Sequence, residues 1–225
     1  MDFRARHRSG RVEGVMRCGK VLSGLMFVAV IALPGHAGAD AGATTVVNVV
    51  AVNASGQPIN GYHVVNRQTS ANLSACTSPS PAAVSNNIYS CDPPESAASV
   101  CWPAPASVLC LVNPWTKDLR RYAAPGALPA VTPLASPMPF AMQLNDGTRC
   151  ILPNGIDWGG RADDTVPIYG CGSNVGILAP PDWNPADAID RTQPLWAVFV
   201  GQLGPRDTPF PVPIRHTVTT AWFAG

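Results

Sequence analysis

Apolar and polar residues alternate in short runs along this chain, and turn residues separate the runs at close intervals. Residues 140–144 and 148–152 are the clearest pair of runs, because they flank the turn sequence Asn145-Asp146-Gly147. An Asp-Gly step between two alternating runs is a strong hairpin signal, since glycine tolerates the positive φ that a tight turn requires. We therefore expect two antiparallel strands joined by this turn.

Further runs of β-branched and aliphatic residues predict strands elsewhere. These predicted strands span residues 44–52, 62–66, 107–112, 174–179, 195–200 and 217–223. The last two are separated by a loop and are expected to pair antiparallel, with the C-terminal strand in the core. Residues 68–86 are rich in Ser, Thr, Asn, Ala and Pro, and this composition predicts a loop.

Helices are expected to be short and few. The best candidate covers residues 185–191, with Asn184 as the N-cap and Pro185 at the first helical position. Prolines are frequent throughout the chain and oppose long helices. They recur within residues 123–139, where they predict an extended connector or a surface wrap inside one domain.

The first 39 residues have the composition of a secretory signal peptide. A basic stretch that ends at Lys20 precedes an apolar run over residues 21–33, and small residues follow up to Ala39. This order is typical of a helical leader that is removed on export. The apolar run is too short for a permanent membrane anchor, which needs about 20 residues. We expect a signal peptide (1–39) and a mature domain (40–225) that is secreted or held in the cell envelope.

Removal of the leader reverses the sign of the net charge. The whole chain has a formal net charge of +1, whereas residues 40–225 contain nine Lys and Arg against twelve Asp and Glu, a net charge of −3. A weakly acidic domain with scattered arginines lacks the basic surface that nucleic-acid binding requires. We therefore expect no nucleic-acid partner.

Six cysteines follow the leader, and an even number in an exported chain predicts three disulfides. They are Cys76, Cys91, Cys101, Cys110, Cys150 and Cys171. The spacing leaves several pairings open, and sequential pairing is favoured among them. No metal site or cofactor is expected, because there is no C-x-x-C pair and few histidines remain. The predicted fold class is mainly β: a small, loop-rich, disulfide-stapled single domain with short antiparallel strands and at most one or two short helices.

Residues with catalytic potential are few. His63 and His216 are the only histidines after residue 39, and no G-x-S-x-G motif is present. The other catalytic arrangement to consider is a pair of carboxylates among Asp157, Asp163 and Asp164, as glycoside hydrolysis uses. These patterns favour a protein that is not an enzyme, and we assign no catalytic residue.

Tryptophan is the more informative residue type. Trp196 and Trp222 lie in apolar runs and are expected in the core. The remaining tryptophans lie beside Pro, Asn, Asp or Gly, where an exposed ring is feasible; they are Trp102, Trp115, Trp158 and Trp183. Exposed rings on rigid loops suit stacking on sugars or anchoring a partner protein.

The best predicted binding site is the segment 157–161. Its glycines would let a ligand approach the backbone beside an indole ring. The residues expected to contact a cell-wall glycan or another protein are Asp157, Trp158, Arg161 and, from the neighbouring predicted hairpin, Arg149.

Several short motifs occur in a fixed order towards the C-terminus. They are Asp146-Gly147-Thr148-Arg149-Cys150, Trp158-Gly159-Gly160-Arg161, Tyr169-Gly170-Cys171-Gly172 and Ala221-Trp222-Phe223-Ala224-Gly225. In this combination the chain resembles a family of exported mycobacterial (actinobacterial) proteins of uncharacterised function, over roughly residues 85–225. The resemblance implies export and disulfides, and it implies no activity, ligand or catalytic residue.

Three classes of function follow from these patterns. The first is a secreted or cell-envelope protein that binds a glycan or a protein without catalysis, which predicts a concave surface lined by tryptophan. The alternative is a structural envelope or host-facing protein without a small-ligand site, which predicts buried rings. The second alternative is a hydrolase with an unrecognised site, which predicts His63 or His216 beside a serine or an acid.

Overall fold

The computed structural model describes residues 42–65, 72–93, 98–152, 159–181 and 185–225. All of them belong to one compact unit, Ala39–Gly225. The predicted signal peptide lies outside the described residues, as do Asp157, Trp158, Trp183 and Asn184. Within the described ranges, no helix has the length and apolar character needed to cross a membrane.

Regular structure within the described ranges is almost entirely β, which confirms the predicted fold class. Thirteen short strands are present in these ranges: β1 (Thr45–Val49), β2 (His63–Val64), β3 (Ala75–Pro79), β4 (Tyr89–Asp92), β5 (Cys101–Ala104), β6 (Ser107–Asn113), β7 (Asp118–Ala123), β8 (Ala141–Leu144), β9 (Arg149–Ile151), β10 (Val166–Gly170), β11 (Val175–Ala179), β12 (Ala197–Gln202) and β13 (Ile214–Ala224).

The predicted helix over residues 185–191 is wrong in extent. The structure has a single 3₁₀ turn there, Pro185–Ala188. Asp190 and Ala197 exchange backbone hydrogen bonds of 2.8 and 3.0 Å, and this bridge draws the chain out of the helical path. A long-range pairing has overridden a local preference.

Strands β8 to β13 form a ring of antiparallel neighbours, which we call the closed sheet. The sequential order β8 to β13 is completed by an additional pairing of β13 with β8. Strand β13 closes the ring because its first half pairs with β12, at Ala197↔Thr217, and its second half with β8, at Ala141↔Trp222. Strand β1 pairs in parallel with the second half of β13, from Thr45↔Thr220 to Val49↔Ala224. The predicted hairpin at Gly147 and the predicted antiparallel pairing of the last two strands are confirmed.

The other strands form an open sheet in the order β2-β7-β6-β5-β4-β3, which we call the open sheet. Strand β3 lies within residues 68–86, so the loop predicted there is wrong for residues 75–79. Its strand conformation comes from pairing with β4, to which the Cys76–Cys91 disulfide also joins it. Pairing with a neighbouring strand, and not the amino-acid composition of the segment itself, decides the conformation of residues 75–79.

The core has two layers at the open sheet, because the side chains of its central strand, β6, alternate between the two faces of the sheet. Leu109 and Leu111 enter a cluster between the two sheets. Val108 and Cys110 point to the opposite face and enter a second cluster, against which Leu128 packs. Because both faces are covered, β6 is buried along most of its length.

Strand β13 shows the same alternation in the closed sheet. Ala221 and Phe223 lie in the cluster inside the ring. Trp222 and Ala224 belong to the cluster between the sheets, where Trp222 is only partly buried. One strand thus contributes to both cores.

The proline-rich segment 123–139 is a surface wrap. The Tyr89 hydroxyl donates a hydrogen bond of 2.9 Å to the carbonyl of Pro129. The Val131 N–H donates to Asn87 Oδ1 at 3.3 Å. The Met138 N–H donates to the carbonyl of Pro81 at 2.8 Å. These bonds fasten the segment along the open sheet before the chain enters β8.

Three disulfides are present, as predicted, and their pairing is sequential. They join Cys76 to Cys91, Cys101 to Cys110, and Cys150 to Cys171. The first two link neighbouring strands of the open sheet, and the third links β9 to the end of β10 in the closed sheet. Each sheet is therefore covalently cross-linked within itself.

Candidate functional site

A cleft opens at the margin of the cluster between the two sheets. It has a volume of about 310 Å³, and the side chains of Tyr62, Trp115 and Trp222 line it. The end of β1, the turns at residues 60–62 and 114–117, and Phe140 before β8 form the rest of its wall. We call this feature the aromatic cleft.

Trp115 is placed by a turn between β6 and β7. The Asn113 side-chain oxygen accepts hydrogen bonds from the backbone N–H groups of Trp115, at 2.9 Å, and Thr116, at 3.3 Å. Asparagine commonly stabilises turns in this way. Pro114 adds its fixed φ within the same turn. The local sequence therefore holds the indole at the edge of the open sheet.

Tyr62 is placed by a second turn, in which Asn60 and Gly61 both have positive φ, of 56° and 81°. This is the backbone that an Asn-Gly pair favours. The Asn60 amide donates a hydrogen bond of 2.8 Å to the carbonyl of Val50 beside β1. Lys117 Nζ donates to the carbonyl of Asn60 at 2.9 Å, and this bond joins the two turns.

Trp222 reaches the cleft from β13 and meets Trp115 edge to face. The ring centroids are 5.1 Å apart and the ring planes cross at 88°. Such aromatic pairs contribute about 0.5–1.5 kcal/mol beyond the area they bury. The prediction that Trp222 lies in the core is therefore only partly right, since the ring packs on the core and also lines the cleft.

The cleft presents polar groups as well as ring surface. The Tyr62 hydroxyl and the indole N–H groups of Trp115 and Trp222 have no hydrogen-bond partner among the described residues. By contrast, the indole N–H of the buried Trp102 donates to the carbonyl of Gly225 at 3.2 Å. Burial raises the pKa of Tyr62, so its hydroxyl keeps its proton at neutral pH. The cleft can therefore donate hydrogen bonds to a ligand.

Arg149, one of the residues predicted to bind a ligand, stands beside this cleft. It projects from β9, while its neighbour Cys150 points into the closed sheet. Its guanidinium carbon lies 4.8 Å from the centroid of the Trp115 ring, within cation–π range. The structure thus brings Arg149 to Trp115, and its predicted neighbour Trp158 lies outside the described residues.

Arg161, the other predicted binding arginine, is only 3% exposed. Its guanidinium forms a 2.7 Å ion pair with Asp163 and donates to the carbonyls of Gln202 and Pro211, each at 2.8 Å. It also lies 5.5 Å from the ring centroid of Phe210. These contacts fasten the loop before β13, and they place the side chain inside the protein.

At the glycines of the predicted site, the backbone of another part of the chain packs closely against them. A Cβ atom added to Gly159 would lie 2.5 Å from the carbonyl oxygen of Gly204. A backbone hydrogen bond of 2.7 Å runs from the Gly160 N–H to the same oxygen. The close backbone approach that we expected from a ligand is made here by residues 203–205.

Two other tryptophans differ from their expected environments. Trp102, for which an exposed ring was considered feasible, is 3% exposed and lies in the cluster between the sheets. Trp196 is partly buried and packs on the cluster inside the closed sheet. The guanidinium of Arg191 covers its ring at 4.7 Å. Neither ring lines the aromatic cleft.

Both histidines lie near carboxylates. His63 Nε2 is 3.2 Å from an oxygen of Asp118, and His216 Nδ1 is 3.5 Å from an oxygen of Asp146. Within the described residues no serine hydroxyl is hydrogen-bonded to either imidazole. Strand alternation also turns His63 away from the cleft, because Tyr62 and Val64 on either side of it pack on the cluster between the sheets.

One group of side chains has metal-ligand atoms close together. The sulfur atoms of Cys91, Cys101 and Cys110 lie within 4.8 Å of one another in the described part of the chain. All three sulfurs are engaged in disulfides. Because a metal requires the thiolate form of cysteine, the disulfide state does not offer these atoms as ligands.

Comparison of the chain with protein-family models, with curated proteins and with solved structures gives no match. The resemblance to exported mycobacterial proteins stays a prediction.

Proposed function

We propose that this protein is a non-catalytic binding protein that acts outside the cytoplasm, secreted or in the cell envelope, and that it holds a glycan in the aromatic cleft. The observation that carries this proposal is the convergence of Tyr62, Trp115 and Trp222 on one cavity. Sugars pack their C–H faces on aromatic rings and use their hydroxyl groups for hydrogen bonds. The cleft supplies both kinds of contact.

The size and construction of the cleft support a ligand site. Small-molecule sites occupy about 300–1,000 Å³ and combine apolar walls with a few polar groups. The aromatic cleft, at about 310 Å³, suits a single sugar unit or the end of a longer chain. Two hydrogen-bonded turns and strand β13 hold its rings, so little ordering is needed when a ligand binds.

The disulfides support the proposed location. Three disulfides indicate that the protein folds in an oxidising, extracellular environment. Export to the cell envelope agrees with the basic and apolar segments before residue 40. The resemblance to exported mycobacterial proteins points the same way.

The direct test is co-sedimentation of the oxidised protein with insoluble cell-wall polysaccharide. We expect the wild-type protein to sediment with the polysaccharide, and Trp115→Ala to weaken binding at least about tenfold, as is typical for a buried aromatic anchor. Trp158→Ala tests the site predicted from the sequence in the same assay. Circular dichroism of each variant checks that the fold is kept.

The outcomes separate the candidate functions. Loss of binding in Trp115→Ala, with binding kept in Trp158→Ala, supports the aromatic cleft. The reverse pattern moves the site to the segment 157–161. Wild-type protein that stays in the supernatant overturns glycan binding and favours the structural alternative.

A further inference from the structure

Two cations flank the rings of the aromatic cleft, one from each sheet. Lys117, in the open sheet's β6–β7 turn, lines the cleft and places its ammonium group 5.7 Å from the ring centroid of Tyr62. Arg149, in the closed sheet, places its guanidinium 4.8 Å from the ring centroid of Trp115. Both residues are exposed. Lys117 therefore brings positive charge into the cleft, and Arg149 brings it to a ring that lines the cleft.

No carboxylate of the described residues neutralises either cation. The carboxylate nearest to Lys117 in sequence, Asp118, pairs with His63 instead. Two other arginines do have a carboxylate partner, since Arg161 pairs with Asp163 and Arg215 with Asp190. No acidic side chain lines the cleft. The cleft is therefore locally positive on a domain that is negative overall.

We propose that the ligand is an acidic saccharide: its ring packs in the aromatic cleft, and its carboxylate or phosphate is bound by Lys117 and Arg149. This inference rests on the proposed glycan-binding function and specifies the charge of the ligand. The guanidinium fork matches the geometry of either anion, and the ammonium adds a point charge. Both cations are already positioned, by the Asn60 carbonyl and by the Trp115 ring, so little side-chain entropy is lost on binding.

Matched saccharides test the charge requirement. The probes are an oligomannuronate, the same oligosaccharide after reduction of its carboxyl groups to neutral alcohols, and a phosphorylated oligomannose, each titrated against the oxidised protein by calorimetry. We expect at least one acidic probe to bind about tenfold or more tightly than the neutral probe, and this preference to shrink as salt is added. The two acidic probes distinguish a uronate from a sugar phosphate.

Charge variants assign the preference to the two residues. Lys117→Met and Arg149→Met are each expected to lower the affinity for the preferred acidic probe by a larger factor than the affinity for the neutral probe, so that the difference between the two probes narrows. Arg215→Met removes an exposed arginine elsewhere and is the matched control, expected to leave every affinity unchanged.

The lysine offers a second readout, which locates the bound ligand at Lys117. Residues 21–225 contain a single lysine, Lys117, so an amine-reactive ester reports on the cleft in one peptide. We expect the acidic probe to slow the labelling of Lys117 several-fold, and the neutral probe to leave it largely unchanged.

The failures are distinguishable. If the acidic and neutral probes bind equally well, the charge requirement is overturned. Loss of that binding in Trp115→Ala would still support a glycan site in the aromatic cleft. Absence of binding by all three probes overturns the acidic-saccharide proposal, whereas absence of co-sedimentation overturns the proposed function itself. Acidic binding that survives in both methionine variants also overturns the assignment to Lys117 and Arg149.

Discussion

Arg161 is a buried side chain with several polar contacts. Its guanidinium pairs with Asp163 through both carboxylate oxygens and also bonds two backbone carbonyls. Lysine has a single ammonium group and cannot reproduce this planar fork. We expect Arg161→Lys to lower the free energy of unfolding by about 2 kcal/mol in a urea titration, because polar groups are left unpaired.

The matched control for this change is Arg215→Lys. Arg215 is 52% exposed and lies 3.9 Å from Asp190. Exposed pairs of this kind contribute about 0–1 kcal/mol, so the control is expected to unfold at nearly the wild-type urea concentration. Equal effects of the two substitutions would contradict the structural role of Arg161.

The pH dependence of stability offers a second test of the same residue. Hydrogen bonds from the Arg161 guanidinium, followed by those from Thr165, hold the pKa of Asp163 well below its usual range. A carboxyl whose pKa is depressed by folding adds stability above its unfolded pKa, and this contribution is lost as the pH falls through the folded pKa.

We therefore expect the difference in stability between wild type and Arg161→Lys to be largest near neutral pH and to narrow as the pH falls below about 4. Urea unfolding at pH 7 and pH 3 measures it. A difference that stays constant over this interval would mean that the Asp163 pair contributes nothing to the effect. Because Asp163 is 43% exposed, solvent screens part of the interaction, and we expect a modest change.

Tryptophan shows the limit of inference from local sequence. Trp102 and Trp115 each lie next to a proline, yet Trp102 is buried and Trp115 lines the cleft. Their different environments depend on Gly225, which bonds Trp102, and on Trp222, which packs against Trp115. These partners lie more than 100 residues away in the sequence. The local pattern therefore identified tryptophan as the residue type suited to the site, but it could not show which tryptophan lines the cleft.

At the scale of the element, two glycines with the same backbone angle have different surroundings. Gly147 and Gly159 both have φ near 83°. A Cβ at Gly147, in the β8–β9 turn, would meet no atom within 4 Å, whereas one at Gly159 would lie 2.5 Å from the Gly204 carbonyl oxygen. Positive φ costs an L-residue about 1–2 kcal/mol, and only Gly159 adds a collision with backbone.

We therefore expect Gly159→Ala to destabilise the protein clearly more than Gly147→Ala, which is limited to the cost of the backbone angle. Thermal unfolding of the two variants side by side gives the comparison. Similar losses in both variants would show that the loop carrying Gly204 moves aside without cost.

The sequence pattern identified the strands and turns whose conformation is favoured by their own residues. The Asp146-Gly147 turn specified the β8–β9 hairpin, and β-branched runs marked β1, β6, β11, β12 and β13. Strands β3, β5 and β7 have weak or mixed patterns, and their strand conformation comes from their neighbours in the open sheet. The closure of β13 onto β8 joins distant segments, and alternation alone does not state which strands will be neighbours.

At the scale of the whole molecule, the cluster between the sheets ties them into one cooperative unit. Leu109 of the open sheet is fully buried there, and Phe140 and Ala224 pack in the same cluster from segments next to or within the strands of the closed sheet. We expect Leu109→Ala to lower the free energy of unfolding by about 2–5 kcal/mol. Amide hydrogen exchange should show that loss in the slowest amides of both sheets.

Ile177→Ala is the reciprocal variant, since Ile177 is fully buried inside the closed sheet. It is expected to weaken protection in the open sheet as well. A loss confined in each variant to the mutated sheet would show that the two sheets unfold separately, and would contradict the single unit.

The chain order of the strands has a consequence for synthesis. Strand β13 pairs with β1, β8 and β12, yet it is the last described strand to leave the ribosome. Until residues 214–224 have emerged, those three strands keep unpaired edges and the ring stays open. Pairings between distant segments form slowly. Under the export that we propose, this delay would keep the polypeptide unfolded while it crosses the membrane. A message cut short before residue 214 would release a chain whose open strand edges invite aggregation.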